Sequence, residues 1–201
     1  MYNISLDFTF RRKNVSRTID ELDLRILKSL SEDSRKPTAQ IAKEAGTSRP
    51  TATARIDGLL KNQIIDFGAK INIPNLGLKL ATIHFETDKT HTTQQVVDTL
   101  KICPRVLQLV QLAGKPNYTA LIYVEDADTL LSSIDCLESI LRVKITSYQR
   151  VLPLIGKSFN LKIVLEKCEK TPCGKECGLC LAYQHNECTG CPPTKEYRGP
   201  I

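Results

Sequence analysis

Between Thr18 and Asn62 the sequence carries three short helical patterns with tight punctuation: IDELDLRILKSL, TAQIAKEAG and TSRPTATARIDGLL. Thr18 and Glu21 have capping-box spacing, with Asp20 a competing N-cap. Leu22, Ile26, Leu27 and Leu30 then recur on one face at helical period. Pro37-Thr38 opens a second helix with Ile41, Ala42 and Ala45 facing inward, and Gly46 supplies the left-handed turn that ends it. Ser48 caps the third helix, Pro50 is tolerated in its first turn, and Ile56, Leu59 and Leu60 form its buried side. This is the spacing of a helix-turn-helix, a shape that lays its last helix into the DNA major groove. The IIDFGAKINI that follows predicts a short strand pair around Gly68, a wing, ending at Pro74.

The third helix begins Ser48-Arg49-Pro50-Thr51-Ala52-Thr53-Ala54-Arg55. Small or hydroxylated side chains at Ser48, Thr51, Ala52 and Thr53 allow close approach to base edges. Arg49 is placed for a bidentate guanine contact and Arg55 for a phosphate. The net charge of +6 is concentrated here: residues 1–80 carry 14 Lys and Arg against 9 Asp and Glu, while residues 81–166 carry 9 of each. Positive charge thus sits where phosphate contacts would want it. The basic arm Phe10-Arg11-Arg12-Lys13-Asn14 reads either as a phosphate or minor-groove contact or as a plain solubilising segment.

Five segments follow: 1–17 as an arm, 18–74 as the winged helix-turn-helix, 75–79 as a linker, 80–166 as a second domain and 167–201 as a tail. In the second domain LATIHFET reads as a strand, TTQQVVDTLKIC as a helix, RVLQLVQLAG and YTALIYVE as strands, ADTLLSSIDCLESIL as a helix and VKITSYQRVLPL as a strand, with SFNLKIVLE a candidate fifth. The order β-α-β-β-α-β predicts a ferredoxin-like sheet with both helices on one face, giving an α+β protein. A second copy of the chain is the simplest cover for the other face.

Eight cysteines are unevenly placed: Cys103 and Cys136 stand apart on helical inner faces, where a small buried hydrophobe is the expectation, and six crowd the tail. The tail has almost no apolar periodicity, so something other than a side-chain core must hold it. Cys177-x2-Cys180 and Cys188-x2-Cys191 can converge as four thiolates on a tetrahedral zinc, with Cys168, Cys173 and His185 as further ligands. Metal binding would supply the folding energy the missing core cannot. Cys173-x3-Cys177-x2-Cys180 also has iron–sulfur spacing, and disulfides are the third reading.

The opening IDELDLRILKSLSEDSRKPTAQIAKEAGTS, the Arg55-Ile56-x-x-Leu59 stretch and Gly114 between the middle strands together resemble the Lrp/AsnC, or feast/famine, family of transcription regulators over roughly residues 18–166. The resemblance implies dimerisation through the sheet domain, assembly of dimers into tetramers or octamers, and a small-molecule effector near the Gly-containing loop. That loop would bring Gly114, Lys115, Asn117 and Tyr118 to the effector. The sequence departs from the family in two places. Asp57 and Gly58 follow Arg55-Ile56 where basic residues are common. Gly114-Lys115-Pro116-Asn117 replaces Gly-x-x-Asp, so an amide stands where a carboxylate would pair with a ligand's ammonium group.

No Ser/His/Asp or paired-carboxylate arrangement points to an enzyme. No apolar run reaches membrane-spanning length and no signal peptide opens the chain, so a cytoplasmic protein is expected. The expectation is a sequence-specific regulator of double-stranded DNA acting as a dimer or larger oligomer. The alternative is an architectural, nucleoid-type protein that coats DNA without sequence choice.

Overall fold

The computed structural model describes residues 18–87, 92–153, 156, 158–159, 164, 166–171 and 174–200, and divides the chain into two compact units, 1–68 and 69–201. The basic arm Phe10–Asn14 lies outside the described residues. Among those described, no helix is long and apolar enough to cross a membrane.

The first unit holds α1 (Glu21–Glu32), α2 (Thr38–Ala45) and α3 (Arg49–Lys61). Asp20 rather than Thr18 caps α1. Its carboxylate accepts from the Asp23 amide at 2.9 Å, and Asp23 reaches back to the Asp20 amide. Ile26, Leu30, Ile41, Ala45 and Leu59 form the core, each side chain adding about 1.5–3 kcal/mol of burial for the larger ones. Gly46 ends α2 at φ 70, a left-handed conformation that costs glycine nothing, and its amide bonds back to α2. The expected wing is absent among the described residues. Ile64 and Ile65 pack onto the three-helix core, and the only strand nearby, β1 (Ile71–Asn72), belongs to the second unit and pairs with β6 (Ser158–Phe159). Apolar side chains that would have built a hairpin are spent on covering the helices.

The second unit has β2 (Lys79–Glu86), α4 (Thr93–Leu100), β3 (Val106–Gln111), β4 (Tyr118–Val124), α5 (Ala127–Leu141) and β5 (Lys144–Val151). The sheet order is β3-β4-β2-β5 with every neighbouring pair antiparallel, the ferredoxin-like arrangement expected. Strand alternation sends Ile83, Phe85, Ala120 and Ile122 to the helical face, where Val96, Leu100, Ile134, Leu137 and Leu141 meet them. Residues 75–79, read as a linker, carry a 3-10 turn and the start of β2; Ile73, Leu78 and Leu80 cover Tyr123 on the opposite face. β5 is exposed along most of its length, with Tyr148 among its open side chains.

The tail is tied to this unit. It contributes a 3-10 turn at Cys177–Leu179 and the four-residue helix α6 (Leu181–Gln184). Among its described residues Cys177, Pro192 and Pro193 are the buried apolar side chains, and none of them belongs to a hydrophobic core cluster.

Candidate functional site

The recognition helix presents a small, exposed N-terminal end. Ser48 accepts from the Thr51 amide at 3.3 Å, and its hydroxyl lies 2.8 Å from that of Thr51. Arg49, Thr51, Thr53 and Ala54 are exposed. Thr53 donates its hydroxyl to the Arg49 carbonyl at 3.0 Å, leaving its methyl and the Arg49 guanidinium to face outward. Ala54, overlooked in the sequence, shares this exposed end, and the helical period alone places it near Pro50 and Arg49.

One expected DNA contact, Ala52, is corrected, and a second, Arg55, has partners within the unit. Ala52 is fully buried, because the position points into the three-helix packing and leaves no surface for a base. Arg55 is engaged inside the unit: its Nη1 pairs with the Asp20 carboxylate and lies 3.3 Å from Oδ1 of the fully buried Asp23. The Asp20 hydrogen bond is the main influence holding this guanidinium above the ordinary arginine range. Arg55 therefore neutralises the cap of α1, and a phosphate would have to compete with two carboxylates for it.

The loop between β3 and β4 is partly committed as well. Gly114 and Lys115 are exposed, and Lys115 pairs with Glu86. Asn117 is an internal bracket: its Oδ1 accepts from the Thr87 amide at 3.0 Å and its Nδ2 donates to the Thr87 carbonyl at 3.0 Å. A carboxylate could make only the first of these bonds. Tyr118 is buried, stacks on Phe85 at 5.4 Å and donates to Thr93 Oγ1 at 3.1 Å. Of the four expected effector residues, Gly114 and Lys115 are thus the exposed ones, while Asn117 and Tyr118 hold the loop.

The tail's cysteines fall into two groups. Cys177, Cys180, Cys188 and Cys191 line one cavity, whose other wall is α5 and the approach to β3. Cys103 and Cys136, expected to be buried space-fillers, line the same cavity. Cys168 lies apart and exposed, its sulfur 2.8 Å from the Lys170 carbonyl and 3.1 Å from that of Pro193. Cys173 lies outside the described residues. Among the described residues no group of three or more His, Cys, Asp or Glu side chains is so arranged that it could hold a metal ion.

Arg105 ties this region together and was not anticipated. Its side chain is only 6% exposed; Nη1 donates to Glu125 Oε2 at 2.7 Å and Nη2 to the Gly190 carbonyl at 2.8 Å. Burial works against its charge, and the Glu125 carboxylate more than restores it, so the guanidinium is held above its usual range. Tyr197 donates to the other Glu125 oxygen at 2.7 Å, and burial with that bond pushes its phenol far up. Burial also pushes Tyr123 up to about 12. Gly190, between Cys188 and Cys191, has φ 84, and a Cβ there would lie 2.9 Å from the Glu196 carbonyl oxygen. Its amide bonds to the Cys188 sulfur; burial nonetheless pushes that thiol up.

An AsnC-type helix-turn-helix domain is matched over residues 19–60. The HTH-type transcriptional regulator LrpA of Pyrococcus horikoshii is 32% identical over 117 residues, 58% of this chain and 83% of that one. The HTH-type transcriptional regulator Ptr1 of Methanocaldococcus jannaschii is 29% identical over 113 residues, 56% and 76%. Among solved structures, the feast or famine regulatory protein from M. tuberculosis complexed with L-methionine superposes with a TM-score of 0.63 at 20% identity, covering 69% of this chain and 95% of that one. That last likeness supports the fold: three helices followed by an α/β sheet. Sharing its helix-turn-helix and most of the length of a named regulator, the chain belongs to the Lrp/AsnC family of sequence-specific, DNA-binding transcription regulators.

Proposed function

We propose that the protein regulates transcription as a homodimer or a larger even-numbered oligomer, reading double-stranded DNA with the α3 N-terminus through Ser48, Arg49, Thr51 and Thr53. The observation that carries this reading is the exposed end of α3, where small hydroxylated residues flank an outward arginine. The open β5 and the incompletely covered sheet face are the surface for a second copy, so that two recognition helices serve one operator. A small effector sits at the loop that exposes Gly114 and Lys115; the M. tuberculosis protein of like fold is complexed with L-methionine, and here the ammonium partner would have to be a group other than Asn117. The protein acts in the cytoplasm by binding, with no reaction of its own. The paired cysteines of the tail serve as ligands of a metal centre.

Selection of bound DNA from random sequence, followed by footprinting, tests the reading. A recurring palindromic site with protection repeating at about one helical turn is the expected result. Uniform coverage without a preferred sequence would assign the protein to architectural DNA binding instead.

A further inference from the structure

One acidic side chain stands on the outward side of α3. Pro50, Thr53, Ala54 and Asp57 follow one another at i, i+3, i+4 and i+7, the spacing by which a helix in the major groove brings one stripe of side chains to base edges. All four are exposed, whereas Ala52 and Leu59 on the other side are buried in the unit. Asp57 therefore continues the exposed end of the helix by one turn.

Its carboxylate is unspent. Five other acids of this unit are held by a base: Asp20 and Asp23 by Arg55, Glu32 and Glu44 by Lys36, and Asp33 by Arg35. Among the described residues no hydrogen bond or ion pair engages the Asp57 side chain. A negative charge on this stripe costs affinity, because it approaches the phosphates of both strands. It gains only where a base edge offers a donor. In the major groove cytosine does so through N4 and adenine through N6, while guanine and thymine present acceptors. Adenine sets its N7 acceptor beside that donor and repels a carboxylate there; cytosine has no acceptor beside N4. Thr53 donates its hydroxyl to the Arg49 carbonyl at 3.0 Å and Ala54 is apolar, so Asp57 is the only charged group of the four.

We propose that Asp57 is a specificity-determining residue, its carboxylate accepting from the N4 amino group of a cytosine in the major groove. The proposal rests on the reading of α3 as the recognition helix. Asp57 lies eight positions beyond Arg49, about 12 Å along a helix that rises about 1.5 Å per residue. That puts the cytosine about three to four base pairs from the Arg49 guanine, at about 3.4 Å per step. Where no donor meets it, the same charge weakens binding, so it widens the gap between operator and random DNA.

The full chain and its Asp57→Asn and Asp57→Ala variants are each used to select DNA from random sequence. Affinities for selected and random duplexes are then measured below the melting temperature of each chain. Wild type should enrich cytosine at one position of each half-site, and exchanging that pair should weaken its binding about tenfold. Asp57→Asn should move the preference there to adenine, whose N6 and N7 an amide meets with an acceptor and a donor. Asp57→Ala should lose the preference at that position alone and bind random duplex more tightly than wild type. One site selected unchanged by all three proteins would overturn the proposal and leave α3 as the reading helix. Preference lost at every position alike would overturn it too, by making Asp57 a support of the whole helix. Uniform coverage by the wild type would overturn both the proposal and the sequence-reading function beneath it.

Discussion

Arg105 and Glu125 form a buried ion pair at 2.7 Å, and the second arm of the same guanidinium holds the Gly190 carbonyl in the cysteine-bearing tail at 2.8 Å. One side chain therefore joins the end of β4 to a loop 85 residues beyond Arg105 itself. Tyr197 completes the set by donating to Glu125 from the tail's far end, and its ring lies 5.9 Å from the Arg105 guanidinium.

Removing one partner strands the other charge in a low-dielectric site. Arg105→Met is expected to destabilise residues 69–201 by about 3–5 kcal/mol and to make the tail sensitive to protease. Adding Glu125→Leu to that variant should recover part of the loss, because the orphaned carboxylate is gone. Urea denaturation of the two single variants and the double variant checks this. Additive losses would show that the two groups are not energetically coupled.

The two arginines of α3 should behave differently. Arg49 is exposed at the DNA-facing end, and Arg49→Ala is expected to cost about 1–3 kcal/mol of discrimination between operator and mismatched DNA, with the melting temperature unchanged. Arg55→Ala removes the partner of buried Asp23 and is expected to lower the melting temperature of the helix-turn-helix. Its loss of DNA affinity should follow that unfolding and be recovered at lower temperature. Binding isotherms at two temperatures beside thermal melts make the comparison. An Arg55→Ala chain with wild-type melting and uniformly weakened binding would return Arg55 to the phosphate backbone.

The helices were legible because caps and apolar period are local: Ile26, Leu30, Ile41, Ala45 and Leu59 are all buried as the spacing indicates. Local signals also explain the misses. Period shows that Ala52 falls on a helix but not that its neighbours close over it. Ile64 and Ile65 have the composition of a strand, yet the three-helix core competes for them and wins. Asn117 looked like a lost ligand group, whereas its amide is what closes on both backbone groups of Thr87. Cys103 and Cys136 were visible on helical inner faces, but nothing near them in sequence says that they line one cavity with cysteines of the tail.

Asn117→Asp would restore the family's carboxylate at the cost of that closure. The aspartate can still accept from the Thr87 amide but sets a negative oxygen against the Thr87 carbonyl. A loss of about 1–3 kcal/mol is expected, read as a lower urea midpoint for the second unit. An unchanged midpoint would show that the amide's donation to Thr87 adds nothing to the fold.

Acid should loosen the helix-turn-helix through Glu44. Its carboxylate accepts from the Ser29 hydroxyl at 2.6 Å, Lys36 Nζ at 2.9 Å and Gln40 Nε2 at 2.9 Å. The Ser29 bond, then those from Lys36 and Gln40, hold its pKa down to about 2, against 4.5 for the free side chain. The unfolded chain therefore takes up this proton first as pH falls. The stabilisation is complete above about pH 4.5 and is lost progressively down to about pH 2. In Glu44→Gln no carboxylate remains to titrate, so melting temperature should fall less steeply across that window than in the wild type. The two curves should draw together at its acid end. Parallel curves from pH 4.5 to 2 would mean that the folded unit holds the Glu44 carboxylate no more tightly than the unfolded chain does.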